Sequence, residues 1–213
     1  MDNTASVHLV DDDAAFLASM ARLLRAAGFA VVTHPTSDEL LTRVSGDTRG
    51  CLIADLNMPG VSGLELQAQL SARGVHLPVI FLTGQADIPS TVQAMRGGAL
   101  DFLEKLAPKE RLFAAINRAL EREAAQHAAR AQLAERRRRF AALTERERQV
   151  LVLVLSGKMN KQIAAALDIH ERTVKLHRSA ITAKLGVHSV AQLALMANEA
   201  QFPGTERVES RQS

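Results

Sequence analysis

Four apolar runs in the first half of the chain each end on polar residues. Asp11-Asp12 follows Ser6-Val-His-Leu-Val10, Asp55 follows Cys51-Leu-Ile-Ala54, Thr83 follows Pro78-Val-Ile-Phe-Leu82, and Lys105 follows the segment around Phe102-Leu103. If these runs are neighbouring parallel strands, their ends meet at one pole, where open α/β sheets bind ligands. Three carboxylates held within about 5 Å repel, and a hard divalent cation such as Mg2+, which takes oxygen ligands, is their natural neutraliser. A hydroxyl and an ammonium beside that cation form a cradle for the oxygens of a phosphoryl group. Taken singly, each residue has a plainer reading: the aspartates as helix caps, Thr83 as a turn residue, Lys105 as a solvated loop charge. Their joint occurrence at strand ends favours a site.

The elements that must position these groups alternate. After residues 11–13, a helix carries Phe16, Leu17, Met20, Leu23 and Leu24 on one stripe and stops at Gly28. Ala30-Val-Val-Thr-His34 reads as a second strand, and Pro35 and Ser37 open a helix with Leu40, Leu41 and Val44. The turn at 58–63 leads to a helix with Leu64, Leu66 and Leu70. Asp87 is placed to cap a helix through Val92 and Met95 that ends at Gly97-Gly98, and Pro108 starts the last helix. Strands alternating with helices, without an Asn-Gly hairpin signal, predict an α/β fold whose mostly parallel sheet is covered on both faces. No Gly-x-Gly-x-x-Gly turn follows a strand, which excludes a dinucleotide-binding reading.

From residue 109 to 202 there is no proline and only two glycines, Gly157 and Gly186, so this stretch can be wholly helical. Residues 111–140 are rich in Ala, Arg and Glu, with Leu112, Ile116, Leu120 and Leu133 as sparse anchors, and predict a semi-rigid helix. Within it Arg136-Arg-Arg-Arg139 reads as a solvated face or hinge, with a phosphate-contacting arm as the alternative. Thr144-Glu-Arg-Glu147 and Ser189-Val-Ala-Gln192 read as capping boxes opening the first and last of four short helices. Asn160 is expected to cap the second. The third runs from about Glu171 to Leu185, with His170 a poor cap and Gly186 its stop.

Helix, short turn, helix is the plan of a module that lays its second helix in the DNA major groove; a small bundle that binds protein or merely dimerises is the alternative. At about 100° per residue, Val174, Ile181 and Leu185 share a core line on that helix. Lys175, Leu176 and Ser179 lie opposite and are the candidates for base edges. Thr173, His177 and Arg178 flank that face, for phosphates or for the domain itself, and Thr182 lies beyond them. Lys158 and Lys161 suit backbone phosphates, and Asn160 completes the DNA-binding set.

Residues 1–125 carry 15 Asp/Glu and 11 Lys/Arg, whereas residues 126–213 carry 8 and 15. An acidic half and a basic half suggest two domains with different partners, the basic one meeting nucleic acid. Trp and Tyr are absent and aromatics are 3%, which argues against stacking bases on aromatic platforms. The single cysteine, Cys51, forbids an internal disulfide. With no apolar run of ~18 residues and no basic n-region at the start, a cytoplasmic protein is expected.

Val10-Asp11-Asp12-Asp13, Asp55-Leu-Asn-Met-Pro-Gly60, Leu82-Thr83-Gly84 and Asp101-Phe-Leu-Glu-Lys105 resemble the motif set of two-component response-regulator receivers. Thr83-Gly-Gln-Ala-Asp-Ile-Pro89 resembles the FixJ-type branch. Leu143-Thr-Glu-Arg-Glu147, Asn160-Lys-Gln-Ile-Ala164, Thr173-Val-Lys-Leu-His-Arg178 and Lys184-Leu-Gly-Val187 resemble the LuxR-type (NarL/FixJ) output domain. The resemblance implies a (βα)5 flavodoxin-like receiver over 1–121, a helical linker over 122–141, an all-α four-helix helix-turn-helix domain over 142–202 and a disordered tail over 203–213.

By the same resemblance the chain is a phosphorylation-controlled DNA-binding transcription regulator, not an enzyme beyond self-catalysed phosphoryl transfer and autodephosphorylation. Asp55 would take a phosphoryl group from a sensor histidine kinase. Asp12, Asp55, the Asn57 backbone carbonyl and, through water, Asp11 would hold Mg2+. Thr83 would donate to a phosphoryl oxygen, Lys105 would pair with its charge, and Phe102 would be the aromatic switch residue. Promoter DNA, the kinase, a second copy on phosphorylation and RNA polymerase would be the partners. Leu106 departs from the pattern, since such receivers carry proline after the lysine. The Lys105–Leu106 peptide is therefore expected to be trans, Lys105 less firmly placed and switching more weakly coupled to output. Two rivals stand beside this reading. An aspartyl-phosphate phosphatase would want a second carboxylate at position 57 and a cap insertion, and neither is present. A DNA-binding protein with a merely structural receiver is compatible with Leu106.

Overall fold

The computed structural model describes residues 5–84 and 88–203, so the expected Asp87 cap and the tail from 204 onward lie outside the described residues. The chain divides into two compact units, Met1–His127 and Ala128–Ser213. That divide falls inside the stretch expected as a linker.

In the first unit β1 (Ser6–Val10), α1 (Ala14–Ala26), β2 (Val31–His34), α2 (Ser37–Arg43), β3 (Gly50–Asp55), α3 (Gly63–Ala72), β4 (Val79–Thr83), α4 (Ile88–Arg96) and β5 (Asp101–Glu104) alternate, and α5 (Lys109–Ala141) follows. The strands are all parallel, in the order β2-β1-β3-β4-β5, which is the expected α/β sheet. Period-2 alternation sends side chains to two cores. Val7, Leu9, Cys51, Ile53, Ile80 and Leu82 pack with Leu17, Leu24, Leu112 and Ile116. Val10, Leu52, Ala54 and Phe81 pack on the other face with Leu40, Leu66, Leu70 and Ala94. All six residues of the central strand β3 are buried, and each Leu or Ile so placed contributes about 1.5–3 kcal/mol.

Register then sets the pole. Val10 lies opposite Ala54, Asp55 opposite Leu82, and Thr83 opposite Glu104. Asp11, Asp55, Thr83 and Lys105 therefore stand side by side, at the point where strand order reverses between β1 and β3. Asp13 takes the plainer role: its carboxylate accepts from the N–H groups of Ala15 and Phe16 at 2.9 and 3.1 Å and caps α1. A Cβ at Gly63 would stand 2.4 Å from the Asp55 carbonyl oxygen, so glycine alone lets α3 start directly beneath the end of β3. Further along α5, Glu123 is 1% exposed and accepts from Arg49 Nε and Nη2 at 2.8 and 3.0 Å, so the packing of the first unit reaches into 122–141.

In the second unit the end of α5 is followed by α6 (Glu145–Leu155), α7 (Asn160–Leu167), α8 (Glu171–Leu185) and α9 (Val190–Glu199). Their core holds Phe140, Val150, Leu151, Ile163, Val174, Ile181, Leu185 and Leu193, so the core line expected on α8 is the observed one. The Thr144–Glu147 capping box forms, and Glu147 also pairs with Lys184 at 2.7 Å.

Two local expectations are corrected. Met159, not Asn160, is the N-cap of α7, because Gln162 Oε1 accepts from the Met159 N–H and the helix starts at Asn160, one residue earlier than a cap there would allow. The box at Ser189 is half formed: its Oγ accepts from Gln192 N–H, but Gln192 Oε1 accepts from His188 N–H instead. The arginine run keeps the expected solvated face, with Arg137, Arg138 and Arg139 exposed, and its guanidinium groups are also engaged. Arg136 pairs with Glu199, Arg137 donates to Gln201 at 3.0 Å, and Arg139 donates to the Leu185 carbonyl at 3.3 Å, a cation at a helix C-terminus.

One buried pair was not anticipated from the sequence. His8 on β1 and His34 on β2 stack, with Nδ1 of His8 3.1 Å from Nε2 of His34, so one ring must donate and the other accept. Burial lowers the His8 pKa; burial first, then the charges of His8 and Arg43, lowers that of His34 to about 4. The unfolded chain takes up this proton near pH 6.5 and the folded chain only near 4, so acid favours unfolding. Between about pH 7 and 5 the protein should lose up to about 2 kcal/mol on this account. Urea unfolding followed by circular dichroism should show that loss, and His34→Gln should shrink it.

Candidate functional site

Asp11, Asp12 and Asp55 each bring a carboxylate oxygen to the pole, all within 4.8 Å of one another. Two bare carboxylates at such a separation repel by about 3 kcal/mol at an effective dielectric near 20. Lys105 offsets that repulsion: its Nζ lies 2.6 Å from Asp11 Oδ2 and donates to Asp55 Oδ2 at 2.9 Å. The opposite oxygen of Asp55 accepts from Asn57 N–H at 3.3 Å, and Asp11 Oδ1 from Asp13 N–H at 2.9 Å. Burial pushes the Asp11 pKa up, against the pull of Lys105 and the Asp13 N–H. Burial acts to lower the Lys105 pKa, but hydrogen bonds and charges from Asp11 and Asp55 outweigh it, and the net shift is upward. Lys105 therefore stays a cation.

Asp12 and Asn57 are exposed beside this cluster, so the donor set is open to solvent on one side. Three carboxylates with one ammonium between them keep a net negative charge and offer only oxygen donors, which fits a hard divalent cation. Thr83 is fully buried at the end of β4, and its carbonyl accepts from Lys105 N–H at 2.8 Å. Phe102 is half-buried, tilted against Phe81 at 6.4 Å. Among the described residues no peptide bond is cis, so the bond before Leu106 is trans as expected. The ammonium nevertheless stands within hydrogen-bond reach of both carboxylates.

In the second unit α8 presents Lys175, Leu176 and Ser179 to solvent, Leu176 at 64% exposure. Thr173, His177, Arg178 and Thr182 are half-buried at the flanks. Arg178 Nη1 donates to Asn160 Oδ1 at 2.9 Å, joining α8 to the first residue of α7. Thr182 Oγ1 donates back to the Arg178 and Ser179 carbonyls of its own helix. Lys158 and Lys161 are exposed. Of the expected DNA-binding residues, three thus form an outward face and two hold each other.

Residues 7–117 match the response regulator receiver domain, and residues 141–197 match the bacterial regulatory proteins of the luxR family. The chain is 41% identical over 197 residues to the transcriptional regulatory protein FixJ of Azorhizobium caulinodans, covering 92% of this chain and 93% of that one. The chain belongs to the response regulator family. This regulator is also 40% identical over 192 residues to nodulation protein W of Bradyrhizobium diazoefficiens, covering 90% of this chain and 85% of the relative. Among solved structures, that of the response regulator StyR aligns with a TM-score of 0.84 at 42% identity, over 92% of this chain and 98% of the other. Full-length FixJ from B. japonicum aligns with a TM-score of 0.56 at 34% identity, over 93% and 98%.

A receiver joined to a LuxR-type DNA-binding domain makes this response regulator a phosphorylation-dependent transcriptional regulator of a two-component system, a transcription factor rather than an enzyme with a turned-over substrate. No single helix among the described residues is long and apolar enough to cross a membrane. Two side chains of the regulator have contacts that the sequence did not indicate. Phe16 appeared only as one of a core stripe, yet its ring centroid lies 4.3 Å from Lys105 Nζ. Asn160 was expected as a cap and as a member of the DNA-binding set, and its carboxamide accepts from the Arg178 guanidinium. Replacing Asn160 by alanine removes a part-buried bond to a charged donor. The expected cost is about 1 kcal/mol of stability in the DNA-binding domain, readable as a lower unfolding midpoint in urea.

Proposed function

We propose that Asp55 is the phosphoryl acceptor of this regulator. What supports the reading is the placement of its carboxylate at the meeting point of Asp11, Asp12 and Lys105. An Asp55 oxygen would attack the phosphorus of a phosphohistidine on the sensor kinase, forming the P–O bond as the P–N bond breaks and the imidazole leaves. Asp11, Asp12, Asp55 and the Asn57 carbonyl would hold Mg2+, which when bound supplies the positive charge that lets an anionic phosphoryl group approach carboxylates. Lys105, already on Asp55, would shift to the added phosphoryl charge, and Thr83 would donate its hydroxyl to one of the new oxygens. Hydrolysis of the acyl phosphate at the same site would reset it without a second enzyme.

The new charge, about −1.5 to −2, would draw Thr83 and Lys105 inward and let Phe102 turn with them. That movement would repack the surface carrying Val92, Met95 and Phe102 on α4 and β5, favour a receiver dimer and bring two DNA-binding domains to two half-sites. Lys175, Leu176 and Ser179 would read base edges, while Lys158 and Lys161, with Thr173, His177 and Arg178 at the flanks, would hold phosphates. The setting is the cytoplasm, where promoter DNA, the kinase and RNA polymerase meet.

Acetyl phosphate with Mg2+ should add about 80 Da to the intact protein and nothing to Asp55→Ala. A gain that persists in Asp55→Ala would move the acceptor elsewhere. Lys175→Ala should relax sequence preference in footprints, whereas Lys161→Ala should weaken all sequences alike and lower the salt slope by about one. The reverse pattern would refute the assignment of the reading face.

A further inference from the structure

Lys105 reaches the carboxylates from a loop with little to hold it. The adjacent side chain, Leu106, is 93% exposed and packs on nothing that could stiffen the turn. The backbone is tied at Lys105 N–H to Thr83 and at Ala107 N–H to Glu104, which fixes where the side chain starts but not where it ends. A lysine stem is flexible, and water draws its ammonium outward. Beside Asp11 and Asp55, Nζ meets the ring of Phe16, 4.3 Å from its centroid.

Phe16 is itself held in place. Its N–H donates to the Asp13 cap at 3.1 Å in the first turn of α1, and its half-buried side chain packs against the core formed with α5. A cation over an aromatic face is attracted by the negative face of the ring, more strongly where water is partly excluded. Two carboxylates hold the ammonium at the strand ends, and the ring is a further partner beside it.

We propose that Phe16 is a positioning residue for phosphoryl transfer: its ring seats the Lys105 ammonium between Asp11 and Asp55, so the cation is in place when the phosphoryl group arrives. This rests on Asp55 being the acceptor. Leucine at position 16 keeps apolar packing but lacks the field of the ring, while tryptophan restores it.

The chain has six lysines, so the ε-methylene signal of Lys105 can be followed by NMR in the metal-free full-length protein and assigned by its loss in Lys105→Met. In the wild type and in Phe16→Trp that signal should lie upfield of the other lysines, because protons over a ring face are shielded. In Phe16→Leu it should return to the position of exposed lysines. With acetyl phosphate and Mg2+, Phe16→Leu should slow phosphorylation about 3- to 10-fold, Phe16→Trp should stay near the wild-type rate, and Phe16→Leu should add nothing to Lys105→Met. An unshifted Lys105 signal in the wild type, an unchanged rate in Phe16→Leu, or equal slowing with and without Lys105 would overturn the proposal. Failure of the wild type to take up phosphoryl at all would instead overturn the acceptor reading beneath it, whatever the NMR signal shows.

Discussion

Asp11, Asp12 and Asp55 stand within 4.8 Å because β1 and β3 are hydrogen-bonded in a register that puts Val10 opposite Ala54. Nothing in the carboxylates themselves favours this. Their mutual repulsion is carried by the ladder behind them and by two cores that bury β3 completely, terms that together exceed a few kcal/mol many times over. The sheet thus holds a concentration of negative charge that only a cation relieves. Lys105 supplies one such charge from the chain, and the exposed side, at Asp12 and Asn57, leaves room for another. Fixed charges balanced in this way are sensitive to any charge added beside them.

The basic unit follows a different rule. Its excess of arginine and lysine looks, as a sum, like a footprint for nucleic acid. The structure divides that charge into two populations. Arg136, Arg137, Arg139, Arg178 and Lys184 are used within the unit, on Glu199, Gln201, the Leu185 carbonyl, Asn160 and Glu147. Lys158, Lys161 and Lys175 face solvent. The exposed ion pairs among the first group each contribute little to stability, about 0–1 kcal/mol, but they orient the ends of α8 and α9. The second group, with the exposed Arg172 of α8, carries its charge to solvent.

Legibility differed by element for physical reasons. The strands were readable as short apolar runs bounded by polar residues, because a parallel sheet covered on both faces buries its strands throughout, and the core line of α8 because burial there repeats with the helical period. The Thr144 box was readable because cap and partner are three residues apart. The box at Ser189 misled because Gln192 had a second N–H within reach, that of His188. Asn160 misled because its partner, Arg178, lies on another helix. The His8–His34 pair and the Arg49–Glu123 bond were silent in the sequence, since each joins residues whose proximity exists only once the sheet and α5 are in place. Phe16 was visible as apolar, and no pattern along the chain distinguishes a ring that packs from a ring that also faces an ammonium.

What the sequence determined by itself was the alternation of elements, the two-part organisation and the placing of acidic, hydroxyl and ammonium groups at strand ends, because these depend on local periodicity and on which residue follows each apolar run. What only the tertiary structure decided was which charges meet. Distances of 2.6 and 2.9 Å from Lys105 to two aspartates, and the choice of Asp13 as a cap rather than a member of the cluster, follow from strand register and helix start. Those depend on the packing of the whole sheet, and electrostatic energy falls off over distances that sequence separation does not measure.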